Sequence, residues 1–414
     1  MSEFGVFVDA TGGSDTNPGS KESPVKTIAS ALGKLAGKPR VYVCEGTYAE
    51  HVKLTSSVAL YGGFACGAWT YTGKKARVAP GDAGYALEVN KVSDALFIAD
   101  MSFTAAGGTE ASTTSVAAFV NASAKVTLRS VELVAGKGAP GKSPAKSADG
   151  ALMTSTPTAG TLNGNGGGPV NGGLAQLCTC VGGGTSKGGG GGNLNGDGNN
   201  GETAQAVNEP AAATGLGSTF AECGGGQTGR NGSNAPAASA AAGAKKLGTL
   251  SEAGWSPEPG QNATAGGAGQ GGGGGGGAAG GGGGGACGGC GGAGGKGAEG
   301  GGASIALLSL NSPVTLVQST LTTDAAGLGG TGGPGGNGIA GGTKGNQGGG
   351  ACTGGNGGKG GNGGAGGGGA GGLSVGVLYK GSRPAVEATI VTGAKGDPGN
   401  DAVDGQKADS LEIQ

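Results

Sequence analysis

The sequence predicts an all-β protein, a parallel β-helix whose rungs are interrupted by long glycine-rich insertions. Three observations carry the prediction. Short apolar strands recur in units of about one solenoid turn and resume after very long interruptions. Large apolar side chains are too few for a conventional core in 414 residues: 108 are glycine, and aromatics make up 4%. Eight cysteines are scattered through sequence that is otherwise flexible in composition.

Residues 1–104 read as compact. Val6–Val8 forms a short strand, and a turn-rich stretch follows. Val25, Ile28, Ala29, Leu32 and Leu35 then have helical spacing. A helix there would cap the open end of a solenoid, whose terminal repeat otherwise leaves core and strand edge exposed. RVYVCEGTY, HVKLTSSVALYGGF, ARVAPGDAGYALEVN and DALFIADMSF supply the next strands, punctuated by Gly and Asn.

The repeat is clearest where GYALEVNKVSDALFIADMSF, from Gly84, is set beside SVAAFVNASAKVTLRSVELV from Ser115. SIALLSLNSPVTLVQSTLTT from Ser304 and, more loosely, SVGVLYKGSRPAVEATIV from Ser374 follow the same plan. Asn90, Asn121 and Asn311 fall in one turn after the first strand of their units, where stacked Asn side chains form a ladder. Gly381 takes that place in the fourth copy. With no helix between units, the pattern describes a parallel β-helix. The organisation is therefore β-helix at 1–138, a cysteine-containing insertion at 139–302, a rung at 303–328, a GGX-repeat insertion at 329–372, and a last rung with tail at 373–414.

VFVDATGGSDTNPGSKESPVKTIASAL, followed by RVYVCEGTYAEHVKLTSSVALYGGF, resembles bacterial proteins of the pectin-lyase-like superfamily. More narrowly, it is similar to glycine-rich surface or lipoprotein members from myxobacteria and their relatives. The resemblance covers residues 1–138 and the later rungs, and implies a right-handed parallel β-helix. Many members of the superfamily are enzymes, whereas the subgroup brings no assigned chemistry. Within such a coil Cys44 and Cys66 stand 22 residues apart, about one rung. Neighbouring rungs lie about 4.8 Å apart, within reach of a disulfide, so these two are expected to pair. Cys178, Cys180, Cys223, Cys287, Cys290 and Cys352 are expected to pair among themselves, in an order the sequence leaves open.

Residues 329–372 are largely GGX triplets, and 265–302 hold longer glycine runs. A three-residue period matches a left-handed extended helix with three residues per turn. With glycine on two of three faces, such helices pack through their backbones, and X faces solvent or a partner. The expected form is a polyglycine II-like bundle. Collagen is a poor match, because it needs far more than 16 prolines. Flexible linker is the competing reading, against which the six cysteines weigh.

Candidate chemistry is thin. Cys287-Gly-Gly-Cys290 has zinc-site spacing, with Cys178 and Cys180 as further ligands, but structural disulfides account better for all four. The single histidine, His51, alternates with Val52 and Leu54 and reads as a solvated rung residue. Asp82, Glu88, Asp94 and Asp100 do not recur at one position on successive rungs, so no catalytic cluster is expected. Asp397, Asp401, Asp404 and Asp197 offer oxygens for Ca²⁺ without a full loop signature, and turn roles fit them better. Trp69, Tyr71 and Trp255 are candidates for stacking on sugars.

With a net charge of −1 no nucleic-acid partner is expected, and no apolar run is long enough for a membrane span. The opening MSEFGVFVDA lacks the form of an export signal, which is expected to lie outside this chain. The functional expectation is a non-catalytic structural, adhesive or binding protein, extracellular or at the cell surface. It would need no cofactor, and its partner would be a surface glycan or another surface protein. A polysaccharide-active enzyme and an ice-binding protein are the alternatives. Oligomeric state is left open.

Overall fold

A computed structural model describes residues 3–156, 159–166, 169–203 and 214–414. The N-terminal part contains β1 (Gly5–Val8), α1 (Ile28–Gly33), β2 (Arg40–Cys44), β3 (Gly46–Tyr48) and β4 (Val52–Leu54). It continues with β5 (Ala59–Phe64), β6 (Ala76–Val78), β7 (Leu87–Asn90), β8 (Ala95–Ala99) and β9 (Met101–Thr104). β10 (Ser115–Asn121), β11 (Lys125–Arg129) and β12 (Glu132–Val134) complete it. The long insertion holds β13 (Leu152–Thr156), β14 (Leu177–Cys180), β15 (Thr185–Lys187) and β16 (Glu202–Thr203), an antiparallel sheet. A short helix α2 (Phe220–Cys223) and a hairpin of β17 (Gly248–Ser251) and β18 (Gly254–Pro257) follow. β19 (Ser304–Leu310), β20 (Val314–Thr322), β21 (Ser374–Lys380), β22 (Ala385–Val391) and β23 (Lys407–Glu412) return to the first stack.

The stack is all-parallel, consistent with a β-helix. One face runs β1, β2, β5, β8, β11 and the first half of β20; another runs β3, β6, β9, β12 and the second half of β20. β22 pairs along both halves of β20. The third face runs β4, β7, β10, β19, β21, β23. Alternate side chains point inward, so Val6, Val41, Leu60, Ile98, Val126 and Leu316 lie in one continuous core. Each such side chain contributes about 1.5–3 kcal/mol by leaving water.

The helix α1 seals the N-terminal end. Thr27 caps it by accepting from the Ser30 amide, and the Glu50 carboxylate accepts from the Ile28 and Ala29 amides at 2.8 and 2.9 Å. It is shorter than the spacing from Val25 to Leu35 predicts. Val25 bridges to Val8 as extended chain, and Ala36 and Gly37 adopt positive φ just past the other end. Burial pushes the Glu50 carboxyl up, and the two amide hydrogen bonds oppose that shift only in part.

The glycine-rich segments pair through their backbones every third residue. Amides of residues 260, 263, 266, 269, 272 and 275 donate to carbonyls of 298, 295, 292, 289, 286 and 283. Amides of 283, 286, 289, 292, 295, 298 and 301 donate to carbonyls of 352, 355, 358, 361, 364, 367 and 370, running parallel. Residues 327–348, 229–244 and 138–150 add further segments in the same manner. None of the glycines from Gly260 to Gly349 has a positive φ.

Glycine run length follows enclosure. Along 286–301 a Cβ on Gly288, Gly291, Gly294 or Gly297 would strike the carbonyls of Gly269, Gly266, Ala263 or Gly260. A Cβ on Gly289, Gly292 or Gly295 would strike those of Ile339, Gly336 or Gly333. The third face carries the larger side chains, Cys287, Cys290, Ala293, Lys296 and Glu299, and the second admits only the small Ala286 and Ala298 at its ends. Along 271–277 all three faces are closed: Gly271, Gly272 and Gly273 meet the carbonyls of Lys187, Gly355 and Leu216 respectively. Hence seven consecutive glycines there, all buried.

Candidate binding surfaces

The cysteines form four disulfides: Cys44–Cys66, Cys178–Cys287, Cys180–Cys290 and Cys223–Cys352, with Cα separations of 5.0–5.7 Å. Cys178 and Cys180 sit two apart on a strand, and Cys287 and Cys290 three apart on an extended segment. Each spacing is the repeat of its own backbone on one face, so the two motifs meet side by side. All eight thiols are thereby consumed, and the zinc reading of Cys178, Cys180, Cys287 and Cys290 is set aside. Asp9 lies near the Cys44–Cys66 sulfurs, but its carboxylate accepts the Thr11 and Gly12 amides and holds a turn.

The turn ladder needs a correction. Asn121 Nδ2 donates to Asn90 Oδ1 at 3.2 Å, but Asn311 is out of register. Asn121 pairs with Leu310, and Asn311 stands one residue later at φ 48°, level with Lys91, Ala122 and Gly381, which also have positive φ. Asn311 thus serves the left-handed turn position and not the ladder. The buried turn is continued by serines: Ser123 Oγ accepts from the Val92 amide, and Ser312 Oγ from the Ser123 amide.

Three of the four aspartates weighed for calcium have protein partners for their carboxylates. Asp401 bonds Lys245 Nζ at 3.1 Å and Asp404 bonds Lys395 at 2.9 Å, while Asp197 accepts the Phe220 amide. Lys245 and the Gly243 amide hold the Asp401 carboxyl below its ordinary range. His51 is half-exposed, with Nδ1 2.7 Å from the Tyr85 carbonyl and Nε2 3.0 Å from Asp82. The Tyr85 carbonyl raises its pKa most, partial burial opposes this, and Asp82 adds to the rise. Glu88 pairs with Lys53.

Trp69 and Trp255 are not free to stack on a ligand. Both are buried; Trp69 packs edge-on against Phe7 and donates its indole N–H to the Lys21 carbonyl. Tyr71, at 64% exposure, is the accessible one of the three. Sequence reasoning missed the surface to which it belongs. The outward residue of successive strands is aromatic: Phe7, Tyr42, Tyr61 and Phe97 adjoin with centroids 5.2, 5.9 and 5.6 Å apart, Phe7 and Tyr42 buried and Tyr61 and Phe97 half-buried. Phe64 and Tyr71 extend the row. Arg40 lies over Phe4 and Tyr61, and Arg129 over Phe97. Of the seven Phe, six Tyr and two Trp in the chain, eight gather here. The signal was present as VFV, VYV, LYG and LFI, an aromatic following an aliphatic on four strands.

The bundle carries a groove of about 660 Å³ lined by Lys142, Pro144, Lys146, Ala293, Lys296 and Glu299 among others. Most outward-facing asparagines on the bundle are engaged. Asn231, Asn234, Asn262, Asn356, Asn362 and Asn400 accept backbone amides of neighbouring segments through Oδ1. The expectation that X faces only solvent or a partner is corrected for these residues: the short amide side chain reaches back and ties two segments together.

Residues 11–67 match the family described as "Protein of unknown function (DUF1565)", which is associated with parallel β-helix proteins. No curated protein and no solved structure matches the chain. Among the described residues no helix is long and apolar enough to cross a membrane. Four disulfides fit an oxidising compartment.

Proposed function

We propose that the protein is a non-catalytic structural or adhesive protein of the cell exterior. It is a right-handed parallel β-helix that carries a disulfide-stapled, polyglycine II-like bundle and binds a surface glycan through its aromatic face. The observation that carries this reading is the exposed Tyr71 with the half-buried Tyr61, Phe64 and Phe97, seated on the buried Phe7 and Tyr42 and flanked by Arg40 and Arg129. Tyr71 and the accessible parts of Tyr61, Phe64 and Phe97, held on a rigid parallel sheet by the buried rings, offer apolar area that suits the faces of sugar rings. Exposed guanidinium groups beside them add hydrogen-bond donors. The bundle supports the role by adding stiffness without a large-side-chain core.

The test is binding of the oxidised protein to an array of immobilised glycans, followed by Tyr71→Ala and Arg129→Ala. Binding that each substitution weakens several-fold, with unchanged thermal unfolding, supports the proposal. No binding, or binding indifferent to both changes, overturns it. One observation favours a polysaccharide-active enzyme instead, the His51–Asp82 pair beside the Tyr85 carbonyl. New reducing ends released from polysaccharide, and lost in His51→Gln, would establish that reading.

A further inference from the structure

The two ends of the parallel stack differ. At the N-terminal end Ile28, Ala31, Leu32 and Leu35 cover the core. At the other end the outer edges of β22 and β23 have no partner among the described residues. Val386 is 39% exposed, and Ala388 and Ile390 are only partly covered where they pack on the core. An open edge with apolar interior side chains above it is a template for another strand.

We propose that this end is the dimerisation surface of the protein, and that its occupant is the same end of a second copy, related by a two-fold axis. The argument rests on the self-complementarity of β23, Lys407–Glu412, read KADSLE. Paired antiparallel with itself about its centre, it sets Lys407 against Glu412, Ala408 against Leu411, and Asp409 against Ser410 of the other copy. Two Lys407–Glu412 pairs would form, and the two Asp409 side chains lie diagonally across the axis, each directly opposite a serine.

The faces agree as well. Ala408 and Leu411 lie level with Val375 and Leu378, which belong to the outer apolar cluster, and they pack against that cluster. Ser410 and Glu412 lie level with Val377 and Tyr379 of the inner core. The antiparallel register therefore joins outward residues to outward and inward to inward. β22, read AVEATIV, carries no charge that would oppose a like charge on being reversed against itself. A two-fold axis also preserves the rise of a helical ramp, so two ends of one hand meet without a step. The contact is isologous and closes at two subunits, because the opposite end of each stack is sealed by α1.

The experiment is sedimentation equilibrium of the oxidised 414-residue protein across a concentration series, with a charge-swap cycle. The unaltered protein is expected to dimerise reversibly. Lys407→Glu and Glu412→Lys each place two like-charge pairs in the interface and should weaken association on the order of tenfold. The combined Lys407→Glu, Glu412→Lys protein should regain it. Circular dichroism and melting curves of all four proteins show whether each is folded, and rescue by the swap separates pairing from damage to the rung. A monomer at every concentration overturns the proposal. So does a dimer that ignores both single reversals, or one that the double variant fails to restore.

Discussion

Gly274→Ala probes the bundle most directly. Gly274 lies in the run enclosed on three sides, and a Cβ there would collide with the Gly190 carbonyl, an atom of the backbone that cannot rotate away. To accommodate a methyl group the two segments must part by more than an ångström. That lengthens the bonds between these two segments, from Gly192 to Gly275 (2.8 Å) and from Gly189 to Gly272 (2.8 Å), and disturbs the one from the displaced Gly274 amide to Asn199 (2.8 Å). Three buried hydrogen bonds at about 1 kcal/mol each give a loss of about 3 kcal/mol. The lower entropy of unfolded alanine offsets about 0.4–1 of it. The expected net is about 2–3 kcal/mol, confined to the bundle. Gly349→Ala is the matched control: nothing lies within 4 Å of its Cβ position and its φ is not positive, so it should be neutral or slightly stabilising. Amide hydrogen exchange on the oxidised proteins, followed in peptides covering 188–203, 214–219 and 271–286, reads both. If Gly274→Ala exchanges no faster than the unaltered protein, the account of the glycine runs as enclosed segments is refuted.

Further outcomes follow from the same geometry. Replacing Cys180 and Cys290 together by alanine leaves the adjacent Cys178–Cys287 link closing nearly the same loop, so the cost should fall below the roughly 2–4 kcal/mol typical of a lone link. Calorimetry should show the bundle melting earlier while exchange in the rungs is unchanged. Asn362→Ala removes the acceptor of the buried Gly338 amide at 3.0 Å, at a cost of about 1–3 kcal/mol, visible as faster exchange at that amide. The raised pKa of His51 predicts an NMR titration midpoint above 6.5. Its small stabilising contribution is fully present below the unfolded value and is lost as pH rises through the folded one. His51→Gln should remove that slope, and a midpoint below 6.5 would contradict the contact with Asp82.

The rungs were legible because a strand buried on one face alternates. VYV and LFI announce themselves, and so does the return of the same plan at Ser304 after the long insertion. The GGX period was legible for a related reason, since three residues per turn leave one face for a side chain. Other features depend on what lies across the gap between segments, which a linear pattern does not record. Seven glycines in a row look like the loosest stretch of the chain, yet 271–277 is buried throughout. The aromatic row was hidden because each ring sits alone in its own strand, and only rung stacking brings Tyr42, Tyr61 and Phe97 together. Asn311 was misplaced by one residue because Asn favours both a ladder and a left-handed turn, and only the pairing of Asn121 with Leu310 separates the two.

The pairing of β10 with β19 has a bearing on how the chain comes to be folded. Ser123 and Ser312, bonded to each other inside the coil, are 189 residues apart. Strands up to β12 can stack one after another as they are synthesised, each upon the last. The next rung has no strand to offer until the whole first insertion has been made. Growth of the coil therefore halts with β10 to β12 as an open edge, and a wait of that length exposes it to wrong partners. When β19 arrives it brings the two ends of the insertion to within a strand's width, and much of the entropy of closing that loop is spent on one pairing. Maturation should show two phases: a fast one in the first rungs, and a slow one in which the later rungs and the bundle appear together.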